Sequence, residues 1–171
     1  MKKNILLSFG LLISVIANSQ NIGIGAEGIY NFQTESFGAG ARVSIFPNNR
    51  LSIVPQFSYY FAFNKVNEYN LGLGLEYKVI RRSKVNIYAL GHAAYNSWLN
   101  YDRSEMKGAK QNNINLEVGA GISTNTCLRP FLEYRYNAKF KETHLNLGLL
   151  YIFGCSGGGH GDKAVRCAAY Y

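Results

Sequence analysis

Apolar and polar residues alternate along most of this chain, in eight runs separated by polar stretches. In the first run Ile22, Ile24, Ala26 and Tyr30 share one parity, and Gly23, Gly25 and Glu27 the other. A period of two marks an extended strand with two unlike faces. The second run sets Phe37, Ala39, Ala41, Val43 and Ile45 against Gly38, Gly40, Arg42 and Ser44. The third carries Leu51, Ile53, Phe57, Tyr59, Phe61 and Phe63 on its apolar face. Pro55 falls inside it, where the missing N–H is expected to weaken the ladder locally or mark a bulge. The fourth run is the most regular, with Tyr69, Leu71, Leu73, Leu75, Tyr77 and Val79 against Glu68, Asn70, Gly72, Gly74, Glu76 and Lys78. Three more alternate from Val85 to Asn96, from Asn113 to Ser123 and from Cys127 to Asn137, and the last runs from Thr143 to Phe153. The stretches QTES, PNNR, IRRSK, TNT and AKFKE read as turns, and Trp98 to Gln111 as the longest connection.

Strand length separates two architectures. Strands of a soluble sandwich average about five or six residues, whereas a membrane-spanning strand needs about 9–11. The runs here are of the second kind. In lipid every backbone donor and acceptor must be paired, so such a sheet has to close, and an even strand number returns both ends to one side. The pattern predicts an all-β fold, an eight-stranded antiparallel up-and-down transmembrane β-barrel over residues 20–153. The second, fourth and sixth turns are compact, as on a periplasmic side, and the third and fifth are expected to be longer, as outside. Tyr30, Tyr59, Phe61, Phe63, Tyr69, Tyr77, Tyr95, Tyr134, Tyr136, Tyr151 and Phe153 lie near strand ends on the apolar parity, where interfacial aromatics belong.

The ends of the chain change this picture in one respect. Lys2 and Lys3, the apolar stretch ILLSFGLLISVI and the small residues Ala17 and Ser19 form a secretory signal over 1–19, cleaved before Gln20. Export is expected, with the outer membrane as destination. The formal net charge of +8 falls to +6 once Lys2 and Lys3 are removed, and the remaining basic residues are scattered, so nucleic acid is not an expected partner. With 13 tyrosines, 10 phenylalanines and 18 glycines, the composition favours strands and tight turns over helices. Residues 154–171 are expected to be a flexible periplasmic tail holding glycines and cysteines.

The last strand carries a more specific signature. Asn146-x-Gly148-x-x-Tyr151-x-Phe153 resembles the terminal signal of outer-membrane β-barrel proteins, and the chain up to Phe153 resembles the small eight-stranded members of that family. The resemblance implies that these four residues are read by the outer-membrane barrel assembly machinery. In many members the final aromatic ends the chain, whereas here a tail follows.

With the apolar faces toward lipid, the inward set includes Glu27, Arg42, Glu76, Lys78, His92, Glu117, Arg129, Glu133, Arg135 and His144. Isolated charges there are costly. An ion-pair network is therefore expected, chiefly Arg42 and Arg135 with Glu27, Glu76, Glu117 and Glu133. Phe46, Tyr60, Tyr88 and Phe131 point inward to fill the space that inward glycines leave, so a wide pore is not expected. His92 with Ser97, Asp102 and Glu105 nearby is a poor nucleophile set, because Ser97 has the opposite parity from His92. No enzyme, cofactor or metal is expected. Cys155, His160, Asp162 and Cys167 are ligands by type but lack paired Cys-x-x-Cys spacing. A Cys127–Cys155 disulfide joins the last two strands at one end, and Cys155–Cys167 competes with it. In the longest connection Arg103, Lys107 and Lys110 are candidates to meet lipopolysaccharide phosphates. The expectation is a monomeric, non-enzymatic envelope protein with a structural or surface-interaction role. An interfacial lipid-modifying enzyme or a narrow channel is the alternative.

Overall fold

Each run puts its charged parity on one side of the sheet, and curling the sheet until its edges meet encloses that side. The computed structural model describes residues 22–61, 67–82, 84–99 and 110–153. The leader, the tail and most of the longest connection lie outside the described residues. Eight antiparallel strands, β1 (Ile22–Asn31), β2 (Ser36–Ile45), β3 (Leu51–Phe61), β4 (Asn67–Arg81), β5 (Val85–Leu99), β6 (Asn112–Thr124), β7 (Leu128–Asn137) and β8 (Glu142–Ile152), close in sequence order, β8 pairing with β1. From Ile22 the paired positions run through Ile45, Ile53, Leu75, Gly91, Val118, Tyr136 and Thr143. The Thr143 carbonyl then accepts the Phe32 N–H at 3.0 Å. One circuit thus climbs the whole of β1, the stagger of a tilted, closed sheet.

The barrel has a terminal end, where β1 starts and β8 finishes, and a loop end. Connections 46–50, 82–84 and 125–127 lie at the terminal end; 32–35, 62–66, 100–111 and 138–141 lie at the loop end. Two expectations need correction. Connection 62–66 is no longer than 46–50, so only 100–111 stands apart. The β4–β5 ladder reaches Asn67↔Leu99, which takes Trp98 and Leu99 out of the long loop. Pro55 makes no bulge: pairing with β2 lapses between Arg42↔Gln56 and Ile45↔Ile53, then resumes in register, while Pro55 stays paired with Leu73. The bulge lies instead at Val79, where the β4–β5 register shifts between Lys78 and Ile80.

Burial follows the parity. Leu71, Ile114 and Leu147 on the outer face are each 60% exposed or more, while Glu133, Asn96 and Asn137 inside are at 0%. This inverts a soluble fold, in which exposed large apolar surface is confined to patches. Outward aromatics are densest at the loop end. There Tyr30 meets Phe32 and Phe37 at 5.1 and 4.9 Å, and Tyr59 meets Phe61 at 5.1 Å. Tyr77, Tyr151 and Phe153 form a thinner belt at the terminal end; Phe63 lies outside the described residues.

Candidate functional site: the charged lumen

The even spacing that sends apolar residues outward brings six charged residues from five strands to the middle of the barrel. Arg42 on β2 is the first hub. Its guanidinium donates to Glu133 on β7 at 2.7 Å, bonds Glu76 on β4, and lies 3.6 Å from Glu27 on β1. Arg135 on β7 is the second, bonding Glu133 and lying 3.5 Å from Glu117 on β6. Glu133 therefore joins both hubs and also accepts the Tyr88 hydroxyl at 2.7 Å. Gln56 ties in Glu27, donating to its carboxylate while accepting from Arg135 at 3.0 Å. The six charged residues named from sequence are together and partnered, five of them buried and Glu76 half-buried. Such groups tolerate a low-dielectric interior only when paired and hydrogen-bonded in this way.

Toward the loop end the network passes into histidines and amides. Glu117 meets His92 at 3.1 Å and His144 at 3.5 Å, and His144 lies 3.6 Å from Glu142. Asn96 donates to Asn70 at 2.7 Å and to Glu68 at 3.2 Å. Gln56 and this asparagine lining were missed from sequence, although Asn70, Asn96 and Asn115 share the inward parity.

Toward the terminal end the lumen is sealed by packing. Phe46, Phe131, Leu150 and Ile152 form one buried cluster. The Lys78 ammonium lies 5.1 Å over the Phe46 ring and Arg129 5.5 Å over it, while Arg42 stacks 4.5 Å over Phe131. The space left between this seal and Arg42 is a cavity of about 10 Å³, room for roughly one water. Inward glycines seat the rings that fill the rest. A Cβ on Gly121 would stand 2.4 Å from Tyr88, and one on Gly148 2.4 Å from Phe131.

The other candidates are more scattered. Asn146 and Gly148 face the lumen, whereas Tyr151 and Phe153 face out with rings 5.4 Å apart. The Phe153 N–H donates to Ile22 at 2.9 Å, so the signature strand is also the seam that closes the barrel. His92 and Ser97 do not meet. Five residues of strand separate them by about 17 Å, and Ser97 bonds Asn112 at 2.9 Å instead. Lys110 is exposed at the end of the long connection; Arg103 and Lys107 lie outside the described residues. Cys127 is half-buried beside the end of β8, its carbonyl accepting the Ile152 N–H at 2.9 Å, while Cys155, His160, Asp162 and Cys167 lie outside the described residues.

No family model and no curated sequence matches the chain. Solved structures do. The N-terminal β-barrel domain of Pseudomonas aeruginosa OprF superposes with a TM-score of 0.62 at 16% identity, over 79% of this chain and 98% of that one. Neisserial surface protein A superposes at 0.58 with 17% identity, over 79% and 98%. The outer membrane protein Ail of Yersinia pestis, in a phospholipid nanodisc, superposes at 0.52 with 15% identity, over 78% and 99%. The chain has the fold of these small eight-stranded outer-membrane barrels.

Proposed function

We propose that the protein spans a bacterial outer membrane as a non-enzymatic barrel, with a structural or surface-interaction role carried by its loop end. One observation supports this most: between its rims the outer face of the barrel is apolar, while the charged side chains at the middle of the strands are bonded inside. Water would have to solvate that outer face, and lipid does not. In such barrels the end with short turns faces the periplasm and the end with longer loops faces out. Under this reading Arg103, Lys107 and Lys110 offer cations to lipopolysaccharide phosphates, and Asn146, Gly148, Tyr151 and Phe153 engage the assembly machinery. A Cys127–Cys155 disulfide would staple the periplasmic end. The packing of Phe46, Phe131, Leu150 and Ile152 across one end of the lumen speaks against conduction, and the separation of His92 from Ser97 against a hydrolytic pair.

The test is heat-modifiability. Chain folded into detergent micelles and left unboiled should migrate differently from boiled chain on a denaturing gel, with β-rich circular dichroism that depends on detergent. A monodisperse folded protein in plain buffer, with no shift, would overturn the membrane reading.

A further inference from the structure

Charge is divided between the two ends. Among the described residues every carboxylate lies in the middle of the barrel or toward the loop end: Glu27, Glu76, Glu117 and Glu133 inside, and Glu35, Glu68 and Glu142 at the loop end. The rim of the terminal end carries Arg50, Arg81, Arg82 and Lys84, all exposed, with no acidic side chain among its described residues. Beside these cations the outer face is hollowed. A groove of about 430 Å³ is lined by Ile80, Val85 and Ile87, with Arg82 and Lys84 at its mouth.

The backbone makes both features. The Val79 bulge turns Val79 and Ile80 outward in succession, which breaks the alternation and opens the groove. The β4–β5 turn is then pinned. The Arg82 N–H donates to Val85 at 2.9 Å, and the Asn125 N–H of the neighbouring turn donates to Lys84 at 3.1 Å. Arg82 and Lys84 are thus each tied through the backbone at the edge of an apolar wall. Depth agrees: the Arg50 guanidinium reaches the Tyr77 hydroxyl at 3.4 Å, in the aromatic belt that marks the interface at this end.

We propose that this hairpin is a binding site for an anionic glycerophospholipid of the periplasmic leaflet. The headgroup phosphate sits between Arg82 and Lys84, and an acyl chain lies along Ile80, Val85 and Ile87. The site rests on the membrane reading above. A zwitterionic lipid fits the apolar wall equally but brings its own cation to the two basic side chains, so the discrimination is electrostatic.

The experiment is native mass spectrometry of the folded barrel released from micelles holding equal amounts of phosphatidylglycerol and phosphatidylcholine. Folding of each sample is first checked by the gel shift. Wild type should retain phosphatidylglycerol over phosphatidylcholine by on the order of tenfold. Arg82→Gln or Lys84→Gln should each remove about threefold, and the double variant should erase the preference. Lys139→Gln with Lys141→Gln, the same loss of charge at the loop end, should leave it intact. Excess inorganic phosphate should not displace the lipid; displacement would reduce the site to a bare anion site and overturn the groove's part in it. A folded wild type without preference, or a folded double variant that keeps it, overturns the proposal. A chain with no gel shift in any micelle fails earlier, at the membrane reading, and this site falls with it.

Discussion

At the terminal end the lumen closes on Phe46, Phe131, Leu150 and Ile152, with cations laid over the rings. At the loop end it closes on two bonded groups, Asn70 with Asn96, and Glu117 with His92 and His144. Both ends are filled, yet a packed end and a bonded end fail differently. Packed side chains lose stability in proportion to the volume removed, and their neighbours partly relax into the gap. A bonded network loses it according to what is left charged and unpartnered. Glu133 belongs to neither end. It holds Arg42, which stacks on the terminal seal, and Arg135, which leads to the loop end.

Glu133→Ala should therefore be the most damaging change, because it removes the one carboxylate that two buried guanidiniums share, leaving Arg42 to Glu76 and Arg135 to Gln56 and Glu117. The expected loss is about 3–5 kcal/mol. It can be read from denaturant unfolding of the micelle-bound barrel, followed by fluorescence of the sole tryptophan, Trp98. A loss under about 1 kcal/mol would mean that water reaches the hubs and screens them, which removes the basis of the comparison. Phe131→Ala comes next, at about 3 kcal/mol or somewhat more. It should also raise the accessibility of Lys78 to amine-reactive reagents without changing the gel shift. Unchanged Lys78 reactivity would show that the ring does not seal that end.

The barrel was legible because burial in this fold repeats every two residues: once the parity of Arg42 or Glu133 is read, its direction follows. The partners were a different matter. That Arg42 meets Glu76 and Glu133 depends on the stagger of the closed sheet, which parity leaves open. Gln56 was missed and Tyr88 was read only as filling the lumen, because nothing local marks them as network members. The seats at Gly121 and Gly148 show the same limit, since the rings occupying them come from other strands. The Val79 bulge left no trace in the alternation before it, which runs unbroken from Glu68 to Val79. Pro55 drew attention because proline has a known local effect, and of its two expected forms the structure shows the local weakening, on the β2 side alone, and not the bulge.

The loop end can be sharpened further at its two shortest connections. Asn31 accepts the N–H groups of Gln33 and Thr34 at 2.9 and 3.3 Å, and Asn137 accepts those of Lys139 and Phe140 at 3.0 and 3.2 Å. Both asparagines are buried at the lumen mouth, so each folds its own turn while lining the interior. Asn137→Ala should cost about 1–2 kcal/mol in the same unfolding measurement. Asn31→Ala should cost as much or more, since its amide also bonds Glu142 at 2.9 Å. A neutral result at both positions would make the loop end a solvated rim and confine the bonded network to the middle of the barrel.

The smallest effect is expected at the last residue of these same turns. Glu35 and Lys141 have φ of 51° and 56°, a left-handed conformation in which an L side chain crowds the following carbonyl. That crowding costs about 1–2 kcal/mol. Glycine relieves it but gives the unfolded chain more freedom, which takes back about 0.4–1 kcal/mol. Lys141→Gly and Glu35→Gly should therefore each raise stability, by roughly 0.5 kcal/mol. The pair is informative because the two substitutions remove opposite charges, so an electrostatic contribution from the rim would push them apart while the backbone contribution moves both the same way. Equal gains would establish that these turns are set by backbone geometry alone. A gain at Glu35 with a loss at Lys141 would instead reveal a net negative potential at the loop-end rim, opposite in sign to the cationic rim at the terminal end.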